Sequence, residues 1–187
     1  MIDAGELRPG TTIERNGDLF QVMTFDHVKL GRGSAIVRAK LKNLNTSAVT
    51  EETFRPEEKF SRARIERREA QYLYKEGSAF VLMDGSTYEQ YNVGEDVVGD
   101  ASRWLKEGDS LFLMMFDGRV IGVELPIAVE LEVTYTEPGF KGDTATGGTK
   151  PATVETGAGV DVPLFVNTGE RIRVDTRSGR YMERVSS

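Results

Sequence analysis

The sequence predicts an all-β protein made of three small barrel modules. Short runs of alternating apolar and polar residues dominate it, and glycine-containing turns separate them at even spacing. An internal repeat supports the same reading. Gly108-Asp109-Ser110-Leu111-Phe112-Leu113 leads to Gly118-Arg119-Val120, and sixty-one residues on Gly169-Glu170-Arg171-Ile172-Arg173-Val174 leads to Gly179-Arg180-Tyr181. The 187 residues divide into three units of about 62, each marginal in size and helped by packing on a neighbour. Boundaries near Arg64 and Pro126 give modules 1–64, 65–127 and 128–187. Small antiparallel barrels, including the five-stranded OB type, suit this pattern.

In chain order, Thr11 to Arg15 and Leu19 to Phe25 flank Asn16-Gly17, the strongest short signal for a type I′ hairpin. A loop follows from His27 to Ala35, and then a strand from Ile36 to Leu44. Val37, Ala39 and Leu41 share one face of that strand, with Arg38, Lys40 and Lys42 on the other. Ala48 to Phe54 is a strand, broken by Arg55-Pro56-Glu57-Glu58. Lys59 to Glu69 is charged and reads as irregular chain or as a surface helix from Pro56 to Arg68. Tyr72-Leu73-Tyr74 leads to Ala79 to Met83, which with a turn at Asp84-Gly85 and Thr87 to Val93 forms a second hairpin. Val97 to Lys106 is the one short helix, with Ala101, Trp104 and Leu105 on one side. A third hairpin, Ser110 to Leu125, closes on Asp117-Gly118. Val129 to Thr136 alternates again. Pro138 to Gly159 has six glycines and five threonines and reads as one or two long loops. Val160 to Val166 resumes the strand pattern, and Ile172 to Met182 is a fourth hairpin about Ser178-Gly179.

Composition removes several functions. There is no cysteine, so disulfide frameworks and thiolate chemistry are excluded. No apolar secretory stretch opens the sequence and no run of about 18 apolar residues occurs, so a cytoplasmic protein without membrane association is expected. Net charge is −6, but it is unevenly spread: +2 over residues 1–64, −6 over 65–127 and −2 over 128–187. A protein can meet phosphate with one basic face and keep its acids in solvent.

The His27–Ala35 loop is where a function is best sought. Gly31 and Gly33 flank Arg32 and allow a tight reversal, and a loop of this length projects roughly 10 Å beyond its sheet. From His27 to Thr50 there are five Lys or Arg and no acid. Arg32 stays protonated and cannot act as a base, but its planar fork of five donors fits phosphates and sugar hydroxyls. A solvated hairpin tip is the plain alternative. His27, the single histidine, has no carboxylate at ligand spacing, so no metal site is expected and it reads as an ordinary strand residue. Glu51-Glu52 and Glu57-Glu58 read as solvated acids, and Gly31-Arg32-Gly33 lacks the Gly-Lys-Ser/Thr of a phosphate loop. No enzyme is indicated. Gly142-Asp143-Thr144-Ala145-Thr146-Gly147-Gly148-Thr149-Lys150 is a second polar loop, either a contact surface or a flexible connector. Tyr72, Tyr74, Tyr88 and Tyr91 are either stacking platforms or core and rim residues.

Taken together, these segments resemble the bacterial elongation factor P family, relatives of initiation factor five A. The resemblance is carried by Leu7-Arg8-Pro9-Gly10, by His27-Val28-Lys29-Leu30-Gly31-Arg32-Gly33-Ser34-Ala35 and by Lys40-Leu41-Lys42-Asn43. It continues through Pro138-Gly139-Phe140-Lys141-Gly142-Asp143-Thr144 to Asp175-Thr176-Arg177-Ser178-Gly179. The signature positions Lys150, Ala152, Gly157, Val160, Val162-Pro163, Val166 and Gly169 are all present.

The resemblance implies a KOW/SH3-like barrel and two OB folds in an L-shaped, tRNA-like arrangement. It implies a monomer and a non-enzymatic factor that binds both ribosomal subunits between the peptidyl and exit sites, contacts ribosomal RNA and peptidyl-tRNA, and relieves polyproline stalls. Arg32 would then meet the tRNA CCA end, supported by Lys29, Gly31, Gly33 and Ser34. Arg38, Lys40 and Lys42 would meet phosphates. Gly142, Asp143, Thr144, Gly147, Gly148 and Lys150 would face the exit-site codon. Many members carry a tip lysine that receives a β-lysyl group; Arg32 cannot receive it. Some arginine-tip members are rhamnosylated there, with Ser-Ser following, whereas here Gly33-Ser34 follows. No cofactor is implied. A paralogue without stall relief and a general RNA-binding OB protein are the alternatives.

Overall fold

Alternation along each strand decides which residues go inside, and pairing decides where the strands lie. The computed structural model describes residues 1–29, 31, 33–139 and 147–185. The chain separates into two compact bodies, Met1–Arg67 with Met114–Gly122 and Arg68–Leu113 with Val123–Ser187. Three sheets hold nearly all the regular structure, as the all-β expectation required.

The first sheet contains β1 (Ile2–Asp3), β2 (Thr12–Arg15), β3 (Asp18–Val28), β4 (Ile36–Asn43), β5 (Val49–Phe54) and β6 (Lys59–Arg62), in the order β1-β6-β2-β3-β4-β5. Asn16 and Gly17 both take positive φ, 54° and 82°, as a type I′ hairpin between β2 and β3 demands. Leu7, Ile13, Val22, Val37, Ala39, Leu41, Phe54 and Phe60 are buried together. The segment expected as irregular chain or a helix from Pro56 is instead β6 and the start of β7 (Glu66–Glu76). Phe60 is the reason: its ring turns into the core edge-on to Phe54, centroids 5.0 Å apart. Its strand pairs Ile2↔Phe60 and Ile13↔Arg62, partners some fifty residues away that local pattern cannot reveal.

The second sheet has the order β11-β10-β7-β8-β9 and the third β14-β13-β12-β15-β16. Their remaining strands are β8 (Ala79–Asp84), β9 (Gln90–Gly94), β10 (Ser110–Phe116), β11 (Arg119–Glu124), β12 (Ala128–Thr136), β13 (Thr149–Val154), β14 (Gly159–Pro163), β15 (Arg171–Asp175) and β16 (Arg180–Arg184). The edges β14 and β16 come back into contact, closing the third sheet as a barrel. Two further expectations change. The Val97–Lys106 helix is only one α-turn, α1 (Glu95–Val98), followed by a 3-10 turn (Gly99–Arg103), because Gly99 sits at φ 57° and breaks the helix. The long loop from Pro138 to Gly159 contains β13, where Lys150, Ala152 and Val154 alternate inward. Lysine and proline within that run disguised its period. Likewise β9 begins at Gln90 rather than Thr87, because Asp84 organises the five-residue turn before it.

One corner recurs in all three modules. Gly10, Gly108 and Gly169 each sit at φ 89°, a conformation that a side chain would strain. Their N–H groups donate to the carbonyls of Val22, Tyr72 and Val133, at 2.8, 2.7 and 2.8 Å. The N–H groups of Val22, Tyr72 and Val133 donate back to the carbonyls of Thr11, Asp109 and Glu170, each at 2.9 Å. The Thr11, Asp109 and Glu170 side chains cap the N–H groups of Arg8, Lys106 and Asn167. Each corner faces a bulge in its long strand, between Val22 and Thr24, Tyr72 and Tyr74, and Val133 and Tyr135. A bulge bends a strand and deepens its twist, which is what curls a flat ribbon toward a barrel. The sequence repeat at Gly108 and Gly169 is therefore a folding device, and the first module shares it.

Candidate nucleic-acid interface

The candidate loop stands on the β3–β4 hairpin, whose ladder ends at His27↔Val37 and Val28↔Ile36. β3 is eleven residues long. Val37, Ala39 and Leu41 anchor β4 in the core, so the hairpin end is held by packing and not by the loop. Beyond it Lys29, Gly31, Gly33 and Ser34 are exposed, and Gly31 takes φ 31°. Arg32 lies outside the described residues. His27 is exposed, and the described residues contain no cluster of His, Cys, Asp or Glu able to hold a metal.

Arg38 and Lys40 are exposed and Lys42 half-buried, on one face of β4 as the alternation predicted. The face is not free of acid, however. β5 pairs Lys40 with Glu51, and β3 pairs Arg38 with Asp26. The Arg38 Nε lies 3.6 Å from the Glu51 carboxylate. An acid-free stretch in sequence is thus flanked by acids from neighbouring strands. Arg15 and Glu52 pair next to this, with the Arg15 guanidinium over the Phe54 ring.

In the third module Gly142, Asp143 and Thr144 lie outside the described residues. Gly147 is exposed, Gly148 half-buried, and Lys150 buried at 7% exposure. Lys150 was expected on the outer loop. Its Nζ instead donates to the Glu137 carbonyl at 2.6 Å, tying together the two ends of the loop. The other signature residues also serve the fold: Ala152, Val160, Val162 and Val166 are core, while Gly157 and Gly169 take φ 84° and 89° at turns. Among the tyrosines, Tyr72 is core against Phe80, Tyr91 is half-buried, and Tyr74 and Tyr88 are exposed.

Clefts open on the surface of each module. Sequence reasoning missed one of them, between the Gly10–Thr12 corner and Arg62–Ile65, with a volume of about 500 Å³. The signal in the sequence is the run of arginines at 62, 64, 67 and 68 beside the first module boundary.

Successive small β sheets, with an exposed loop and a basic strand behind it in the first, define a protein built of small β-barrel modules. Family models agree. The Elongation factor P (EF-P) KOW-like domain matches residues 3–60, the Elongation factor P (EF-P) OB domain 65–123, and Elongation factor P, C-terminal, 129–184. Elongation factor P of Acetivibrio thermocellus is 55% identical over 185 residues, covering 99% of this chain and all of that one. That of a Thermoanaerobacter species is 56% identical over the same shares. The chain belongs to the elongation factor P family and is a translation elongation factor. A solved structure, eukaryotic translation initiation factor 5A from Methanococcus jannaschii, shares the fold with a TM-score of 0.54 and 19% identity, over 67% of this chain and 90% of that one. Among the described residues no helix is long and apolar enough to cross a membrane.

Proposed function

We propose that this chain binds the ribosome between the peptidyl and exit sites, contacts peptidyl-tRNA and speeds peptide bond formation where consecutive prolines stall synthesis. The observation that carries the reading is the β3–β4 hairpin, packed rigidly at its base and ending in exposed Lys29, Gly31, Gly33 and Ser34 around Arg32. The side chains of Lys29 and Arg32 in its loop are hydrogen-bond donors and not acceptors. The help is therefore positional and non-enzymatic. Proline is a poor nucleophile, and holding the CCA end in a near-attack geometry lowers the entropic part of the barrier. Lys40, Lys42 and the unpaired donors of Arg38 meet phosphate. Gly142 to Gly148 approaches the exit-site codon, with Lys150 holding the loop base. The factor works as a cytoplasmic monomer, its modules divided at 64/65 and 127/128, with Arg32 as the position a rhamnose would occupy.

Tripeptide synthesis through consecutive prolines tests this at saturating factor. If one Arg32 hydrogen bond forms only in the reactive arrangement, Arg32→Ala slows the step about ten- to a hundred-fold. Arg32→Lys is intermediate at best, because a point charge lacks the planar fork. Full rescue by Arg32→Ala would refute the mechanism, and ribosome binding without any rescue by wild type would mark a paralogue. Intact mass of the native protein reads the modification directly.

A further inference from the structure

We propose that the cleft between the Gly10–Thr12 corner and Arg62–Ile65 binds a phosphate of an RNA backbone. The cleft's volume, about 500 Å³, lies within the range of about 300–1,000 Å³ that holds small ligands. Gly10, Thr11 and Thr12 form one wall, and Arg62 and Arg64 flank buried Ala63 on the other. The Ala63 N–H donates to the Thr12 carbonyl at 2.9 Å, so the arginine-bearing segment is fixed to the corner. The corner is itself fixed by the Gly10–Val22 hydrogen bond described above. Both walls are therefore joined through their backbones.

Charge separates this cleft from two others. The cleft near Tyr181 sets Arg180 against Asp161, and the one near Tyr88 is lined by Glu69 with no cation. Here no carboxylate lines the walls, and neither Arg62 nor Arg64 has an ion-pair partner among the described residues. Many other arginines are engaged: Arg15, Arg38, Arg68, Arg173, Arg177 and Arg184 pair with carboxylates, and Arg8 and Arg103 stack on rings. Two arginines without ion-pair partners lining one cleft suit a tetrahedral anion, which a guanidinium fork can meet with two parallel hydrogen bonds. Ile65 supplies an apolar edge on which a ribose can rest. Assigning the anion to RNA rests on the function proposed above.

The test uses the full chain and ribosomes carrying peptidyl-tRNA in the peptidyl site. Affinity is measured from about 50 to 200 mM KCl, a range over which phosphate contacts dominate the salt response. Arg62→Gln with Arg64→Gln is expected to weaken binding about tenfold and lower the salt slope by about one unit, the loss of one phosphate. Arg62→Lys with Arg64→Lys keeps the slope because it keeps the charge. The chain has no cysteine, so Ser61→Cys gives a unique tether for Fe(II)-EDTA. Cleavage of the tRNA or of ribosomal RNA near the tether supports the cleft and names the strand. An unchanged slope in the Gln pair, or no cleavage of either strand, overturns it. Wild type that binds ribosomes beside an unaffected Gln pair sinks the cleft alone. Wild type that fails to bind sinks the parent reading with it.

Discussion

The indole of Trp104 lies against Gly179, so closely that a Cβ at 179 would stand 3.2 Å from the Trp104 Cζ2 atom. Trp104 follows the 3-10 turn of the middle segment, yet it is buried in the core of the third sheet with Leu131, Ile172 and Val174. Two hydrogen bonds flank the contact, from Thr156 Oγ1 to the Arg103 carbonyl at 2.6 Å and from Lys106 Nζ to the Glu130 carbonyl at 3.0 Å. The two segments thus share one core within the second body.

Trp104→Ala should destabilise this body by about 3–5 kcal/mol, the usual range for emptying a large aromatic site. Gly179→Ala should cost about 1–3 kcal/mol, since Gly179 has φ 69° and its Cβ would press on the ring. Urea melts read both. As the only tryptophan, Trp104 should emit at short wavelength in the native state and shift red in a single transition with the third module. A red-shifted native emission would contradict its burial.

Lys150→Met should leave a folded protein that is less stable by about 1–3 kcal/mol, because the stem still packs while the bond to the Glu137 carbonyl is lost. Chemical denaturation gives the number. If Lys150→Met kept wild-type stability and lost ribosome binding, Lys150 would be a contact residue and not the clasp seen here.

Asp84 is 1% exposed and accepts the N–H groups of Thr87 and Ser86, at 3.0 and 2.7 Å, with Arg68 at 3.4 Å. The Thr87 N–H first, then Ser86, holds its carboxyl below the ordinary carboxylate range. The folded form is thus the stronger acid. Its contribution is complete above about pH 4, the unfolded value, and is lost as pH falls through the depressed folded value. Asp84→Asn should flatten the loss of stability below about pH 4. Urea midpoints at a series of acid pH values check this; parallel curves for both proteins would refute it.

Arg38, Lys40 and Lys42 changed together to Gln should lower the salt slope of ribosome binding by about two units, not three, because Glu51 already neutralises Arg38 in part. An exposed pair of this kind contributes only about 0–1 kcal/mol, so the fold should be unaffected. A full three-unit drop would mean that Glu51 releases Arg38 on binding.

Much of this protein is legible in the order of its residues. Asn16-Gly17 and Asp117-Gly118 specify their hairpins, because two consecutive positive φ values select those residues. Alternation along Ile36 to Asn43 determined which face is basic, and the Gly108 and Gly169 repeat marked equivalent corners. Each is a property of neighbours along the chain. The tertiary structure alone decided what lies beside what. It set Glu51 against Arg38, turned Lys150 inward to Glu137, drew Trp104 into another module's core and brought Arg62 and Arg64 to the Gly10 corner. It also made strands of β6 and β13, where charge and proline masked the period. The physical reason is that a strand's own pattern encodes its faces but not its partner. Pairing is chosen by burial and hydrogen bonding among segments distant in sequence, and the charges on the outer faces follow wherever those pairings take them.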